Sequence, residues 1–478
     1  MKKIVISKLF LYRYRFIIGY TLLGLAFVAL LFVLPIISQH GLSEAEINST
    51  TGSYYLGWDA IKNGDLIDLP YRLLQKISIT IFGLSTYAVK LPSIIVGLGL
   101  GLLLVLLLNR WFKSNVSLLA SCLVVLSTPF LFLAGSGTPL IMLIFWPTLL
   151  LWLGSKIQGE KKPKPSYCFL FALTLLLAVF TPYMVYFAIF CVFFVFLQPH
   201  LRFIIKSLPK LPLIIVGLIV AGGMATLIAS IIMHPDTIMG LLFAKTYDIS
   251  NFLNNIVSGF TPIFAWQGAV QSVFLAPLIS LPTLALALVG LFSTTKGFFA
   301  SRNSIASLLI VFAIIITGFN PDAALFIILP LSILVAHGLK YLLEKWYGLF
   351  PENPYARIVA IFPLAILFGV MLVPSLLQYI YGYRYNPGVA RKFDYCLTIV
   401  RENLTDETLV AKKYYDFYKI LEDSTDLKVI NEIPTNKVGA LAVLHDTEKP
   451  ENYILSRIIT SPMAEDSDII YLYTEKGE

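Results

Sequence analysis

Long apolar runs separated by short polar segments dominate the chain up to about residue 380. A run of about 20 apolar residues is long enough to cross a bilayer as a helix. The first run covers 17–37, and the others lie at 91–108, 116–134, 139–155, 167–181, 183–198, 211–233, 272–293, 304–318, 321–337 and 356–380. This pattern predicts a mainly α, polytopic membrane protein with about eleven transmembrane helices.

The distribution of basic residues predicts how these helices are oriented. The N-terminal segment and the alternate short loops that would share its side hold 19 Lys and Arg but only three Glu. Short loops rich in Lys and Arg stay in the cytoplasm, so the N-terminus is predicted to be cytoplasmic. An odd number of spans then places the C-terminus outside, in a multi-pass protein of the cytoplasmic membrane.

Three segments on the predicted outer side are too long to be simple connections. Residues 38–90 mix aromatic, charged and apolar positions, which is typical of amphipathic helices lying in the interface plane. A second large loop covers 234–270. Residues 381–478 hold 12 Lys and Arg and 17 Asp and Glu, and short β-rich runs alternate there with helical pieces. We therefore predict a transmembrane domain over 1–380 and a small extracytoplasmic α/β domain over 381–478.

Composition supports this division and excludes several classes of protein. Hydrophobic residues make up 57% of the chain and charged residues 13%, against about 25% charged residues in soluble domains. A soluble enzyme and a nucleic-acid-binding protein are therefore excluded. The net charge of +8 combines a basic cytoplasmic side with an acidic outer side, so it indicates topology and not an anion-binding surface. The sequence contains no nucleotide-binding loop or Cys/His metal cluster, so no cofactor is evident, and a divalent cation is the one that is left open.

The clearest candidate for chemistry is the pair Glu44 and Glu46, directly after the first span. Sugar transfer from a lipid phosphate at the membrane surface needs a base for the acceptor hydroxyl. It also needs positive charge, or a divalent cation, for the leaving phosphate. A structural interpretation is equally consistent with the spacing, because Ser43-x-x-Glu46 is a capping box at a helix start. The two interpretations are compatible, since a cap also fixes a carboxylate in place.

Residues 43–104 resemble the first-loop region of the GT-C membrane glycosyltransferases, the group of protein O-mannosyltransferases and lipid A aminoarabinose transferases. The shared features follow one another in the family's order: Glu44 and Glu46, Tyr54-Tyr55, Gly57, Asn63-Gly64, Asp68-Leu-Pro70, Phe82-Gly83 and Lys90-Leu-Pro-Ser93. The resemblance implies a GT-C-like fold, a polyprenyl-phosphate-linked sugar as donor and an extracytoplasmic glycan, lipid or protein as acceptor. It also implies inversion at the anomeric carbon, with an acidic residue of the first loop as base.

Carried onto this chain, the resemblance implies Glu44 or Glu46 as the catalytic carboxylate. Glu46 matches the second residue of the family's Asp-Glu pair, and Ala45 stands where the Asp is usual. Residues expected to bind the substrate or its phosphate are Lys90, Lys62, Lys245, Tyr54 and Tyr55.

The chain also departs from the family pattern at two other places. Residues 134–141 contain neither an Arg nor an acidic residue, and no Lys precedes the Pro of Asp68-Leu-Pro70. A lipid transporter or flippase, and a catalytically silent lipid-binding protein, are therefore alternatives. A transporter predicts ionisable residues within the spans, where this sequence has almost none. Weaker site candidates are Tyr183, His234 and Asp322, for which an interfacial anchor, a turn and a helix cap are the structural alternatives.

Overall fold

The computed structural model describes residues 10–39, 41–159, 164–199, 201–203, 210–243, 251–265, 270–271, 274–295, 300–349, 355, 359, 361–393, 397, 402, 407–422, 428–433, 440–444, 450, 453–460 and 469–475. Within these ranges the chain is mainly helical up to residue 393 and forms a sheet with one longer helix beyond it.

The α-helices are numbered in chain order. They are α1 Phe10–Ser38, α2 Glu44–Tyr54, α3 Trp58–Lys62, α4 Leu69–Phe82, α5 Thr86–Trp111, α6 Ser114–Val125, α7 Thr128–Gly135, α8 Met142–Gly159, α9 Pro165–Ala178, α10 Met184–Leu197, α11 Lys210–Met233, α12 Pro235–Phe243, α13 Phe252–Phe264, α14 Leu281–Thr295, α15 Ser301–Phe319, α16 Ile328–Gly348, α17 Ile361–Leu377, α18 Tyr383–Tyr385, α19 Pro387–Ala390 and α20 Tyr415–Glu422. Short 3₁₀ helices cover Pro139–Ile141, Pro321–Ile327, Arg391–Phe393 and Lys412–Tyr414, and a π-helix covers Gln378–Gly382.

The helices include the long apolar segments that a multi-pass membrane protein needs. Among the described residues, six segments are long and apolar enough to cross a membrane. Two bent pairs, α6 with α7 and α11 with α12, raise this number to as many as eight if each pair forms one span, and α9, α10 and α14 are shorter apolar helices. The mainly α, polytopic architecture is confirmed, and the number of segments that cross stays a prediction.

One predicted span is broken in the structure. The run 116–134 divides into α6 and α7, which meet at an angle of 66°. Pro129 lies in the first turn of α7, where proline is tolerated because the first turn has no intrahelical partner for its missing N–H. Apolarity alone does not show this break, because both halves are strongly apolar.

The first predicted loop consists of α2, α3 and α4, packed against the start of α5. It meets the second loop at Gly64, whose carbonyl accepts a hydrogen bond from Thr237 Oγ1 at 2.7 Å. Gly64 has a φ of 79°, and a Cβ there would lie 2.6 Å from the Cβ of His234. Only glycine is compatible with both this positive φ and the close contact with His234. We call the end of the bundle that carries this loop the outer end, after the topology predicted above.

The C-terminal part of the chain is a five-stranded sheet with α20 packed on it. The strands are β3 Glu407–Val410, β4 Lys428–Ile430, β5 Ala440–Leu444, β6 Tyr453–Ile459 and β7 Ile470–Glu475, in the order β4-β3-β5-β7-β6. The pairs β3–β4 and β3–β5 are parallel, and β7 is antiparallel to both neighbours. A separate antiparallel pair joins β1 Val270–Gln271 to β2 Phe274–Leu275. The predicted α/β composition of this region is confirmed.

The sheet unit is docked on the first loop through a shared apolar core. Phe417 and Leu421 of α20 are buried in one cluster with Leu42, Ile47 and Val89 of the membrane part. The last long helical segment continues to Tyr385, past the predicted boundary at 380. The division into two domains stays a prediction.

Candidate active site

The carboxylate of Glu46 lies in the interior, beneath the first turn of α2. Its side chain has 0% exposure. Ser43 caps the helix and forms the predicted capping box with Glu46. The backbone N–H of Ser43 donates to Glu46 Oε2 at 2.7 Å, and Ser43 Oγ donates to the same oxygen at 3.1 Å. The backbone N–H of Gly137 donates to Oε1 at 2.7 Å. Three hydrogen bonds leave this carboxylate little capacity for an acceptor hydroxyl.

Lys90 completes this buried arrangement. Its Nζ lies 3.7 Å from Glu46 Oε1 and is 1% exposed. It donates to Gln39 Oε1, and the carbonyl oxygen of Gly41 lies 3.4 Å away. The structure therefore places the predicted base Glu46 and the predicted phosphate-binding Lys90 against each other in the interior. Lys90 does not reach the surface of the protein.

The turn at 135–139, which lacks the family's charged residues, contributes backbone groups to the same arrangement. Gly137 donates its N–H to Glu46, and its carbonyl accepts from Gln75 Nε2 at 3.0 Å. A Cβ at Gly137 would lie 2.6 Å from Val89 Cγ1 and 3.0 Å from the Val89 carbonyl oxygen. The turn can approach α5 this closely only because residue 137 is glycine.

We expect Gly137→Ala to destabilise the protein by about 1–3 kcal/mol, because the added methyl overpacks the contact with Val89. It would also displace the N–H that faces Glu46. The midpoint of thermal unfolding in one detergent measures the effect. Gly369→Ala in α17 is the matched control, because a Cβ there has no atom within 4 Å. Equal unfolding midpoints for the two variants would contradict the close contact.

Glu44 and the two predicted tyrosines face the C-terminal unit. Glu44 is about half exposed, and its Oε1 lies 2.6 Å from Lys413 Nζ. The Tyr55 hydroxyl donates to the carbonyl of Asp416 at 3.1 Å, and the rings of Tyr54 and Tyr55 meet edge to face at 5.3 Å. Glu44 and Tyr55 therefore connect the region of α2 to Lys413 and to the first turn of α20, and Tyr54 packs against Tyr55.

Of the two remaining predicted cations, Lys62 lies apart from the buried Glu46. Lys62 is exposed at the end of α3, and its Nζ is 4.0 Å from Asp59. Lys245 lies outside the described residues. The structure thus brings Glu46 and Lys90 together, places Glu44, Tyr54 and Tyr55 at one interface, and leaves Lys62 elsewhere on the first loop.

A second carboxylate of the first loop, Asp68, lies in an environment suited to proton transfer. It precedes α4 with a left-handed backbone, φ 55°. Its N–H donates to the carbonyl of Phe180 at 2.8 Å, in the link between α9 and α10. Burial raises the pKa of the Asp68 carboxyl to about 7, against the opposing effect of Arg72. A carboxyl that titrates near neutral pH can both accept and release a proton.

Tyrosine hydroxyls lie near Asp68. Tyr183 is buried and shares the left-handed backbone, φ 66°; it and Asp68 are the two non-glycine residues with positive φ in the described ranges. Burial raises the pKa of Tyr71, as do the carboxylates of Glu46 and Asp68. The Tyr71 hydroxyl shares a 2.7 Å hydrogen bond with Ser93 Oγ. Strained backbone and a shifted pKa both concentrate at functional sites.

Two arginines supply positive charge at this end of the bundle. Arg72 binds both carboxylate oxygens of Asp65, at 2.6 and 2.8 Å. Arg384, at the end of the last long helical segment, donates from Nη1 to the carbonyl of Ile37 at 2.8 Å. Its Nε is buried without a hydrogen-bond partner in the part of the chain that the structure describes.

The sequence pattern does not single out Asp68 or Arg384. Asp68 belongs to the Asp-Leu-Pro motif, and an acidic residue at a helix start is usually a cap. The structure shows no side-chain cap from it. Arg384 falls in the predicted C-terminal domain, away from the predicted site residues of the first loop. Among the described residues no group of three His, Cys, Asp or Glu is placed to hold a metal ion. A divalent cation stays an open prediction.

Comparison with known proteins identifies the architecture. Residues 70–228 match the family described as dolichyl-phosphate-mannose-protein mannosyltransferase. The crystal structure of ArnT from Cupriavidus metallidurans bound to undecaprenyl phosphate is similar at a TM-score of 0.53 and 12% identity, over 95% of this chain and 98% of that one. No curated protein sequence matches this one.

The archaeal oligosaccharyltransferase AglB from Archaeoglobus fulgidus, in complex with an inhibitory peptide and a dolichol-phosphate, is also similar. The TM-score is 0.51 at 13% identity, over 84% of this chain and 64% of that one. The structural similarity establishes the fold. At identities this low it does not identify the donor or the acceptor. The chain is a multi-pass membrane protein with the GT-C architecture of membrane glycosyltransferases, and the resemblance predicted from its first loop is confirmed.

Proposed function

We propose that this protein transfers a sugar from a polyprenyl-phosphate donor to an acceptor outside the cytoplasm. The observation that carries the proposal is the agreement in fold along 95% of the chain with ArnT, whose crystal structure holds undecaprenyl phosphate. The family match over residues 70–228 supports the same class of chemistry. The N-terminus is proposed to be cytoplasmic, with the first loop and the sheet unit outside, because the basic residues are distributed in that way.

We propose Asp68 as the general base in place of Glu46. Its carboxylate takes the proton of the acceptor hydroxyl while that oxygen attacks the anomeric carbon. The bond from this carbon to the phosphate oxygen breaks, and its electron pair leaves with the polyprenyl phosphate. Attack from the face opposite the phosphate inverts the anomeric configuration. Asp68 suits this step because its pKa is about 7, close to the pH at which it must accept the proton.

Positive charge is needed where the phosphate departs. Arg384 is the proposed phosphate ligand, because its Nε is buried and lacks a hydrogen-bond partner among the described residues. Lys62 and Lys245 are retained as outer cations that attract the donor. Glu46 and Lys90 hold α2 against α5, and Glu44 with Tyr54 and Tyr55 holds the sheet unit near the acceptor side.

A second candidate function follows from the burial of Glu46. If the acidic residue of the family's first loop has become structural, the protein binds lipid-linked substrate without turnover. A flippase for such a lipid is the third alternative. All three bind the same ligand, and they differ in whether sugar is released and whether lipid crosses the membrane.

The test uses purified full-length protein in lipid nanodiscs, incubated with a panel of radiolabelled polyprenyl-phosphate sugars and candidate acceptors. We expect polyprenyl phosphate to be released in proportion to sugar transferred. Glu44→Gln and Glu46→Gln are compared with wild type, and a chelator reports on a divalent cation. Binding without release across the panel would favour the silent protein. Lipid movement in proteoliposomes without sugar release would favour the flippase, and either result would overturn the proposed transferase.

A further inference from the structure

A cavity lies at the end of the bundle opposite the proposed active site. It has a volume of about 400 Å³ and is bordered by α5, α8, α9, α10, α11 and α15. Its lining is almost entirely apolar and includes Trp111, Gly154, Phe171, Cys191 and Phe194. This volume falls within the range of about 300–1,000 Å³ that is usual for small-molecule sites.

Among the described residues that line this cavity, Arg302 is the charged one. Its Nη1 donates to the carbonyl of Trp111 at 2.8 Å, and its Nε donates to Asn303 Oδ1 at 3.2 Å. Its guanidinium lies 5.2 Å from the centre of the Phe112 ring. These acceptors are neutral, and the described lining contains no carboxylate. A partly buried cation beside an apolar cavity is stabilised by a bound anion.

A second cation, Arg110, contacts the backbone of a lining residue. Arg110 Nη2 donates to the carbonyl of Ser155 at 3.2 Å, and Ser155 lines the cavity. The cavity therefore combines an apolar interior with the guanidinium of Arg302 in its lining and that of Arg110 beside Ser155. A molecule with a phosphate group and a hydrocarbon chain has the complementary distribution of charge and apolar surface.

We propose that this cavity binds an anionic phospholipid, with one acyl chain among the apolar side chains and the phosphate against Arg302 and Arg110. The site is separate from the proposed active site and does not depend on glycosyl transfer. Basic pockets between helices at the cytoplasmic side are known to bind anionic lipid headgroups. The predicted topology places Arg302 and Arg110 on that side.

A second apolar cavity provides an internal control. It has a volume of about 760 Å³ between α1, α5 and α6, and its lining, as far as the structure describes it, includes Gly24, Leu98 and Cys122 but no charged side chain. If apolar volume alone retained lipid, this larger cavity would retain it as well. The proposal instead predicts that charge at the rim determines which lipid is bound.

Native mass spectrometry of the full-length protein tests the headgroup contact. The protein is titrated with phosphatidylglycerol and, separately, with phosphatidylcholine. We expect one phosphatidylglycerol to bind at least tenfold more tightly, and Arg302→Gln to lower this preference by about tenfold, since a hydrogen bond to a charged group is lost. Arg302→Lys keeps the charge and is expected to retain most of the preference. Equal binding of the two lipids by wild type would overturn the proposal.

Two glycine substitutions test which cavity is used. Gly154→Leu places a side chain in the proposed site, where a Cβ meets only Phe171 at 3.9 Å. Gly24→Leu does the same in the control cavity, where a Cβ has no atom within 4 Å. We expect the Gly154 variant to lose the tight phosphatidylglycerol and the Gly24 variant to retain it. The reverse result would overturn the assignment, as would displacement of the lipid by undecaprenyl phosphate at lower concentration.

Discussion

Replacing Asp68 with asparagine is expected to lower the rate of sugar transfer by about 10²–10⁴-fold, the usual contribution of a general base. Asparagine has nearly the same size as aspartate and also tolerates the left-handed backbone that residue 68 adopts. It cannot accept the proton of the acceptor hydroxyl. The turnover number with a saturating polyprenyl-phosphate sugar measures the effect. Asp65→Asn is the matched control, because Asp65 carries the same charge but contacts Arg72 at the surface of the loop.

The stability of Asp68→Asn shows whether a loss of activity comes from the chemical step or from a loss of folded protein. Burial raises the pKa of Asp68 from 3.8 to about 7 in the folded protein, so the folded state binds this proton more tightly than the unfolded state. The contribution of Asp68 to stability is therefore fully present below about pH 4 and is lost as the pH rises to about 7. The asparagine of the variant has no such charge to desolvate. We expect the variant to be at least as stable as wild type above pH 7, and a marked loss of stability there would contradict a catalytic role.

The pH dependence of wild-type turnover gives a third measurement on Asp68. A general base acts only when it is deprotonated, so kcat/KM is expected to rise through about pH 7 and to level off above it. An activity that falls through the same range would indicate that Asp68 acts as an acid, which would contradict the proposed step.

The sequence predicted the parts of the fold that depend on local composition. Apolar runs predicted the long apolar helices, and the spacing of Ser43 and Glu46 predicted the capping box at the start of α2. The break between α6 and α7 was missed, because only the short polar pair Ser127-Thr128 precedes Pro129 inside a long apolar run, and a first-turn proline is compatible with a helix.

The candidate site was harder to predict, because its properties arise from contacts between distant segments. The sequence shows that Glu46 matches an acidic position of the family motif. It does not show that Gly137 and Lys90 contact its carboxylate in the folded chain. In the same way, the sequence around Asp68 suggests a helix cap. The hydrogen bond from the N–H of Asp68 to the carbonyl of Phe180 is visible only in the folded chain. Burial, and with it the shifted pKa, is a property of the assembled bundle and not of the Asp-Leu-Pro motif.

Removing one partner of the Glu46–Lys90 pair is expected to destabilise the protein by about 3–5 kcal/mol, because the other charge is left buried and uncompensated. The single variants are Glu46→Gln and Lys90→Met. The double variant removes both charges, so we expect it to lose less stability than the two single variants together, with a coupling of about 0.5–3 kcal/mol. Equilibrium unfolding in one detergent measures all four proteins.

Glu46→Gln is expected to destabilise the protein more than Lys90→Met does, because it disrupts hydrogen bonds as well as the charge pair. Each oxygen of Glu46 accepts hydrogen bonds, from Ser43 on one side and Gly137 on the other. A glutamine has one oxygen and one NH₂ group, so a donor must face a donor at one of these positions, and an unsatisfied buried group costs about 1–3 kcal/mol. If Glu46 is instead the catalytic base, Glu46→Gln would abolish turnover while the unfolding midpoint stays unchanged. Additive losses in the double variant would likewise contradict a buried pair, because two independent groups would show no coupling.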